Sequence, residues 1–188
     1  MAVGASAGSG VTTGAFNIAI GATAGGISNG SYNIAIGSSA GRLIGAGACN
    51  TFIGTCAVYS GAGGNRNVAI GMNALLNGGA CSDNIAIGYQ TFANNSACSG
   101  SNTIIGSCAA ISVTGALHPG NDTAVGYATL FTETSGGCNT AFGFQSGCTI
   151  TTGCGNVMLG YNAQPSTATV CGEVTIRGGG SSATIARY

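Results

Sequence analysis

The sequence predicts an all-β fold, a parallel β-solenoid or β-roll of about ten 17-residue coils. Two observations lead there. The word NIAIG is spelled at 17–21, 33–37 and 84–88, with a near copy, NVAIG, at 67–71. Glycine fills 36 of 188 positions, and each costs about 1 kcal/mol relative to alanine inside a helix, so helices are disfavoured. Repetition at a fixed period of this length is the mark of a stacked-coil architecture, in which one unit cannot bury its own apolar side chains.

Nine rungs begin at Asn17, Asn33, Asn50, Asn67, Asn84, Asn102, Asp122, Asn139 and Asn156, at spacings of 16, 17, 17, 17, 18, 20, 17 and 17 residues. They read NIAIG, NIAIG, NTFIG, NVAIG, NIAIG, NTIIG, DTAVG, NTAFG and NVMLG. MAVG at 1–4 fits the last four letters of an earlier rung, and EVTIRG at 173–178 reads as a degenerate last one. The array therefore occupies 1–172, and 173–188 forms a terminal degenerate repeat or capping segment.

Each rung is short, β-branched and bounded by turn residues, which predicts a strand. Side chains alternate between the two faces of a strand. The bulky second and fourth letters are expected to form the core: Ile18, Ile20, Ile34, Ile36, Ile53, Val68, Ile70, Ile85, Ile87, Ile105, Val125, Phe142, Val157 and Leu159. The leading Asn residues, with Asp122 as the one break, are expected to form a hydrogen-bonded side-chain ladder along the stack. The third letter runs Ala, Ala, Phe, Ala, Ala, Ile, Ala, Ala, Met, an apolar series expected to pack against sister chains. The alternative is that both faces line a narrow roll within one chain.

Three residues after the rung's glycine stands a small residue in every coil: Ala24, Ala40, Ala57, Ala74, Thr91, Ala109, Thr129, Ser146 and Ala163. A second apolar cluster often follows, as at Leu43-Ile44, Leu75-Leu76 and Leu130-Phe131, and predicts a shorter second strand between two corners. At about 3.3 Å per residue such a coil is a flattened two-layer roll. The stretch carrying His118 and Pro119 lengthens one coil to 20 residues and is expected to bulge as a surface loop.

Composition restricts the function. There are four Arg, no Lys, four acidic residues and one His, with a net charge of zero, so nothing marks a nucleic-acid partner. No apolar run reaches the ~20 residues of a membrane span, so no membrane insertion is expected, and MAVGASAGSG lacks the charged and apolar regions of an export signal. A P-loop requires the missing lysine. No nucleophile or carboxylate is tied to His118 by spacing, and Asp83, Asp122, Glu133 and Glu173 lie in different coils without pairing. The expectation is therefore no catalytic residue, no cofactor and no metal site. Cys138, Cys148 and Cys154 lack the short spacings of zinc ligands.

Most of the nine cysteines are expected to be small apolar filler, but two pairs share a place in adjacent coils. Cys81 with Cys98, and Cys154 with Cys171, would approach the roughly 4.4–6.8 Å Cα separation of a disulfide, as cross-coil staples or as stacked thiols. Tyr89, Tyr127, Phe144 and Tyr161 follow the rung's glycine, either as a sugar-binding stripe or as a seam packed between coils or chains. Asn29, Asn94 and Asn121 open N-x-[ST] sequons.

N-[IVT]-A-[IVF]-G followed by small residues and a TTG-like corner resembles the head repeats of trimeric autotransporter adhesins, which implies a left-handed parallel β-roll wound as a homotrimer. DTAVGYATLFTETSGGCNTAFGFQSGCTITTGCGN is similar to the NTAVGYQAL…TTG…N repeats of phage and virus tail-fibre proteins, and EVTIRG to the strand that follows such arrays. The resemblance spans residues 1–178. It implies a virion-surface or extracellular fibre shaft or head with other virion or fibre proteins and a host-surface glycan as partners. The second implication is a bacterial surface adhesin head binding matrix or glycan. The chain shows no coiled-coil stalk, membrane-anchoring barrel or self-cleaving chaperone, and its cysteine content departs from both groups. An ice-binding solenoid would need regular TxT rows, and TT occurs only at 12–13 and 151–152, in coils that are not adjacent.

Overall fold

The computed structural model describes residues 1–26, 29–61, 64–78, 81–94, 100–112, 120–178 and 184–187. It is an all-β parallel solenoid of about nine turns, with no helix among the described residues. Twelve strands form one sheet in chain order. They are β1 (Ala2–Val3), β2 (Ile18–Ile20), β3 (Ile34–Ile36), β4 (Thr51–Ile53), β5 (Val68–Ile70), β6 (Ile85–Ile87), β7 (Thr103–Ile105), β8 (Thr123–Val125), β9 (Thr140–Phe142), β10 (Val157–Gly160), β11 (Val174–Arg177) and β12 (Thr184–Arg187).

Like letters pair with like. Ile18 lies beside Ile34, Ala19 beside Ala35 and Ile20 beside Ile36, and the same register continues through Ile87 beside Ile105 to Leu159 beside Ile176. Only β12 runs antiparallel, against β11, with a register shift at Ile176/Arg177.

A coil this short closes because much of its backbone is left-handed. Counting the rung's first residue as place one, positive φ recurs at places seven and nine and at the residue before each rung, as in Cys56 (55°), Val58 (49°) and Arg66 (56°). For a residue bearing a Cβ this conformation costs roughly 1–2 kcal/mol. It is held because the backbone bonds to both neighbouring coils: Ser39 N–H donates back to Ala22 C=O at 2.8 Å, and Gly41 N–H donates forward to Ala57 C=O at 2.9 Å. The same bends correct the expectation of a second strand. Among the described residues, Leu43↔Ser60, Gly120↔Gly137 and Gly137↔Cys154 are isolated bridges only, and left-handed residues at place nine and just before each rung cut short any extended run around them.

The expected core is inverted. Ile18, Ile20, Ile34, Ile36, Val68, Ile70, Ile87, Ile105, Val125, Val157 and Leu159 are only half-buried, and Ile53, Ile85 and Phe142 are exposed. The third letters Ala19, Ala35, Phe52, Ala69, Ala86, Ile104, Ala124, Ala141 and Met158 are instead at most 4% exposed within this one chain. They therefore do not pack against sister chains. The reason is strand parity: letters one and three share a face, so burying the asparagines carries the third letter inward and turns letters two and four outward.

The interior is narrow and takes bulk from changing places. The small residues at place eight, from Ala24 to Ala163, are all fully buried. The largest buried apolar side chains, Phe52, Phe92, Ile104, Leu130, Ile150 and Met158, come from the third, ninth or twelfth place. Where one coil leaves a gap another fills it: a Cβ on Gly147 would stand 2.8 Å from Leu130 Cδ2 and 3.3 Å from Ile150 Cδ1.

Candidate functional site

Three columns of side chains run along the solenoid, and each follows from the register. The first is the polar ladder. Asn50 N–H and Nδ2 both donate to Asn33 Oδ1, at 2.9 and 3.0 Å, and Nδ2 also donates to Gly64 C=O at 2.9 Å. Asn67 repeats the pattern on Asn50 Oδ1 at 2.8 and 3.2 Å, and Asn156 repeats it on Asn139 at 3.0 and 3.0 Å. Asn33, Asn50, Asn67, Asn84, Asn102, Asn139 and Asn156 are buried, and Asn17 at the first coil is half-buried. The ladder expected from sequence is therefore present.

Asp122 keeps the backbone half of the ladder: its N–H donates to Asn102 Oδ1 at 2.9 Å, and its Oδ1 accepts Asn139 N–H at 2.8 Å. A carboxylate cannot supply the amide N–H that the neighbouring coils supply. Glu133, from the same coil and fully buried, reaches in, and its Oε1 accepts Asn139 Nδ2 at 2.7 Å. Asp122 and Glu133, expected to lie in different coils, belong to the one coil that begins at Asp122, and both meet Asn139. At the last parallel rung Glu173 N–H donates to Asn156 Oδ1 at 2.9 Å, while its carboxylate turns aside to accept Ser166 N–H at 3.0 Å and Thr175 Oγ1–H at 3.0 Å.

The second column is the outer face of the sheet. Letters two and four form two ranks of aliphatic and threonine side chains from Ile18 to Ile176. Ten strands at about 4.8 Å make a band roughly 45 Å long. Letter four is apolar in every one of these strands, whereas letter two is Thr at Thr51, Thr103, Thr123 and Thr140, so the unbroken apolar row is letter four.

The third column is place six. Phe144 stacks on Tyr127 and on Tyr161, with centroids 5.3 Å apart in both pairs. The rings cover one another, so they form an inter-coil seam and not a continuous stripe of open ring faces. Phe16 and Tyr32, just before their rungs, stack similarly at 5.1 Å.

Cys154 and Cys171 are joined by a disulfide, with Cα atoms 4.5 Å apart, at one of the two places that the spacing marked. Cys98 lies outside the described residues, so its pairing with Cys81 does too, as do His118 and Pro119. The disulfide closes a 17-residue loop. Chain entropy alone then gives it about 3 kcal/mol. Cys154→Ser with Cys171→Ser is expected to lower the chemical-denaturation stability by up to about that amount, with amide exchange accelerated first in β10 and β11.

Burial pushes the Cys148 thiol up from its ordinary value, against the opposing pull of its hydrogen bond from Gln164. On the surface, Arg66 holds Asp83 in a two-point contact at 2.6 and 2.8 Å, and this hydrogen bond keeps the Asp83 carboxyl below its usual range. A depressed carboxyl contributes stability above its unfolded value and loses it as pH falls through the folded one. Arg66→Gln is expected to raise the Asp83 titration midpoint towards that of a free carboxyl, read by NMR.

Among the described residues no group of three or more His, Cys, Asp or Glu could hold a metal ion, and no helix is long and apolar enough to cross a membrane. Of the sequon asparagines, Asn29, Asn94 and Asn121 are all exposed. No family model matches the chain, and neither a curated protein nor a solved structure is significantly similar to it.

Proposed function

We propose that this chain is a non-enzymatic structural segment of a homotrimeric virion fibre, a tail or capsid shaft or head that presents a host-attachment surface. The carrying observation is the outward face of the sheet, whose half-buried to exposed ranks of Ile, Val, Leu, Phe and Thr run from β2 to β11. Three such bands facing a common axis would bury one another, which puts the trimer seam on letters two and four. The reading is mechanical: a stack of backbone ladders around a packed interior resists bending, and the buried polar side chains Asn50, Asn67 and Asn139 each accept a backbone N–H of the next coil and so hold coils together. A cross-coil disulfide suits an oxidising exterior. Other fibre or virion proteins would then adjoin the ends of the stack. The near-absence of charge argues against a nucleic-acid partner.

Native mass determination, with and without reductant, tests the assembly. The expected species is three times the 17.9 kDa chain in both conditions. Ile36→Asp with Ile70→Asp should give a monomer that keeps its β-type circular dichroism. A wild-type monomer would remove the fibre reading, and an export signal or anchor in the complete gene would replace the virion with a bacterial surface.

A further inference from the structure

The aromatic column at place six has a gap. Backbone bonds fix its order: Cys108 N–H donates to Tyr89 C=O at 2.9 Å, Ala128 N–H to Ser107 C=O at 3.0 Å and Gln145 N–H to Tyr127 C=O at 2.8 Å. The column therefore reads Tyr89, Ser107, Tyr127, Phe144, Tyr161, with one small residue between aromatic neighbours. Tyr127 has one face on Phe144, and the coil on its other side offers only Ser107. Tyr89 and Tyr127 are 44% and 49% exposed.

We propose that the space over Ser107, between Tyr89 and Tyr127, is a binding slot for one neutral hexopyranose ring of a glycan. The dimensions come from the stack itself. Two coil spacings separate the flanking tyrosines by about 9.6 Å. The same two-coil span holds the Phe144 ring between Tyr127 and Tyr161, so the gap takes one six-membered ring. A puckered chair can stack its C–H groups on the flanking tyrosines, and it is the polar edge that selects it over an arene. A sugar also needs polar contacts at its edge. Ser107 Oγ makes only long contacts, 3.5 Å to Tyr89 C=O and 3.8 Å to Cys108 Sγ, and so can serve a ligand hydroxyl. No charged side chain stands at place six or seven of any rung from Asn17 to Asn156, so a neutral sugar is favoured over a sialic acid or a sulfated one. This deepens the host-attachment part of the fibre reading and takes its biological setting from it.

The test is saturation-transfer NMR on the intact protein with methyl β-D-glucopyranoside, methyl β-D-galactopyranoside and p-cresol. At least one glycoside should receive saturation at its ring C–H protons. Ser107→Phe, which completes the aromatic column, should weaken that binding at least tenfold while the thermal midpoint holds or rises. Tyr127→Leu should weaken it similarly, and Tyr161→Ala should leave it unchanged. Transfer to neither glycoside, glycoside binding undiminished by Ser107→Phe, or p-cresol binding alone would overturn the slot. Native mass on the same samples separates the two readings. Sugar binding absent from an intact trimer sinks only the slot, and sugar binding by a monomer sinks only the fibre.

Discussion

Gly106→Ala is expected to destabilise the protein by about 3 kcal/mol or more, enough to unfold a marginal domain at ambient temperature. Two independent effects coincide at the rung's fifth letter. Gly106 has φ +139°, a conformation that residues with a Cβ rarely adopt, and a Cβ built there would lie 2.1 Å from the carbonyl oxygen of Gly126 in the next coil. That obstacle is backbone, so no rotamer change relieves it. The neighbours repeat the geometry: Gly71 at φ +131° would meet Gly88 C=O at 2.3 Å, and Gly126 at φ +137° would meet Gly143 C=O at 2.3 Å. The fifth letter is thus glycine in all nine rungs from Asn17 to Asn156, because the next coil's backbone leaves no room there for a Cβ. Gly155→Ala separates the two effects. Its φ is +63° with nothing within 4 Å of the added carbon, so only the left-handed penalty of roughly 1–2 kcal/mol remains. Urea denaturation of both variants reads the difference. Equal losses would mean that the close approach contributes nothing.

What the sequence disclosed follows from which physical quantity repeats. The period was visible because Ile20, Ile36 and Ile87 must each lie in register with their neighbours, and they do. The Asn ladder was visible for the same reason. The inside of the coil is not legible from bulk, because the bulky letters face outward. Asn33 and Ala35 are one parity and Ile34 and Ile36 the other, so an amide column inside already requires the isoleucines outside. The true core escaped detection because no single place carries it: Phe52 fills it from the third letter, Phe92 from the ninth and Ile44 from the twelfth. The left-handed turns had only a scattered sequence signal, glycine at Gly25, Gly41, Gly147, Gly155 and Gly172. Val58, Leu75 and Phe92 hold φ near +50°, where such residues are uncommon, and only the inter-coil bonds of the finished stack require it. The second rank of strands failed with them.

Asn50→Leu is expected to cost roughly 3–5 kcal/mol, comparable with losing a large core side chain although no apolar volume is lost. Leucine preserves the branched shape of asparagine and removes every polar atom of the side chain. Gly64 C=O then loses the 2.9 Å donor at a half-buried position, and Asn67 N–H, which is buried, loses the 2.8 Å acceptor. Asn33 Oδ1 keeps the Asn50 backbone N–H but loses the amide at 3.0 Å. Each orphaned buried group costs about 1–3 kcal/mol, and the groups lie on two different coils. The loss should therefore show as faster amide exchange at Thr51 and Val68 together, not at one coil alone. Asn50→Asp makes the comparison sharper, because it reproduces the native situation of Asp122 without a Glu133 to receive the next amide. If the ladder is a structural element, the aspartate variant should fall between wild type and Asn50→Leu at neutral pH and recover part of its stability when acid converts the carboxyl into a donor. A leucine variant within 1 kcal/mol of wild type would instead leave the apolar interior alone holding the coils in register.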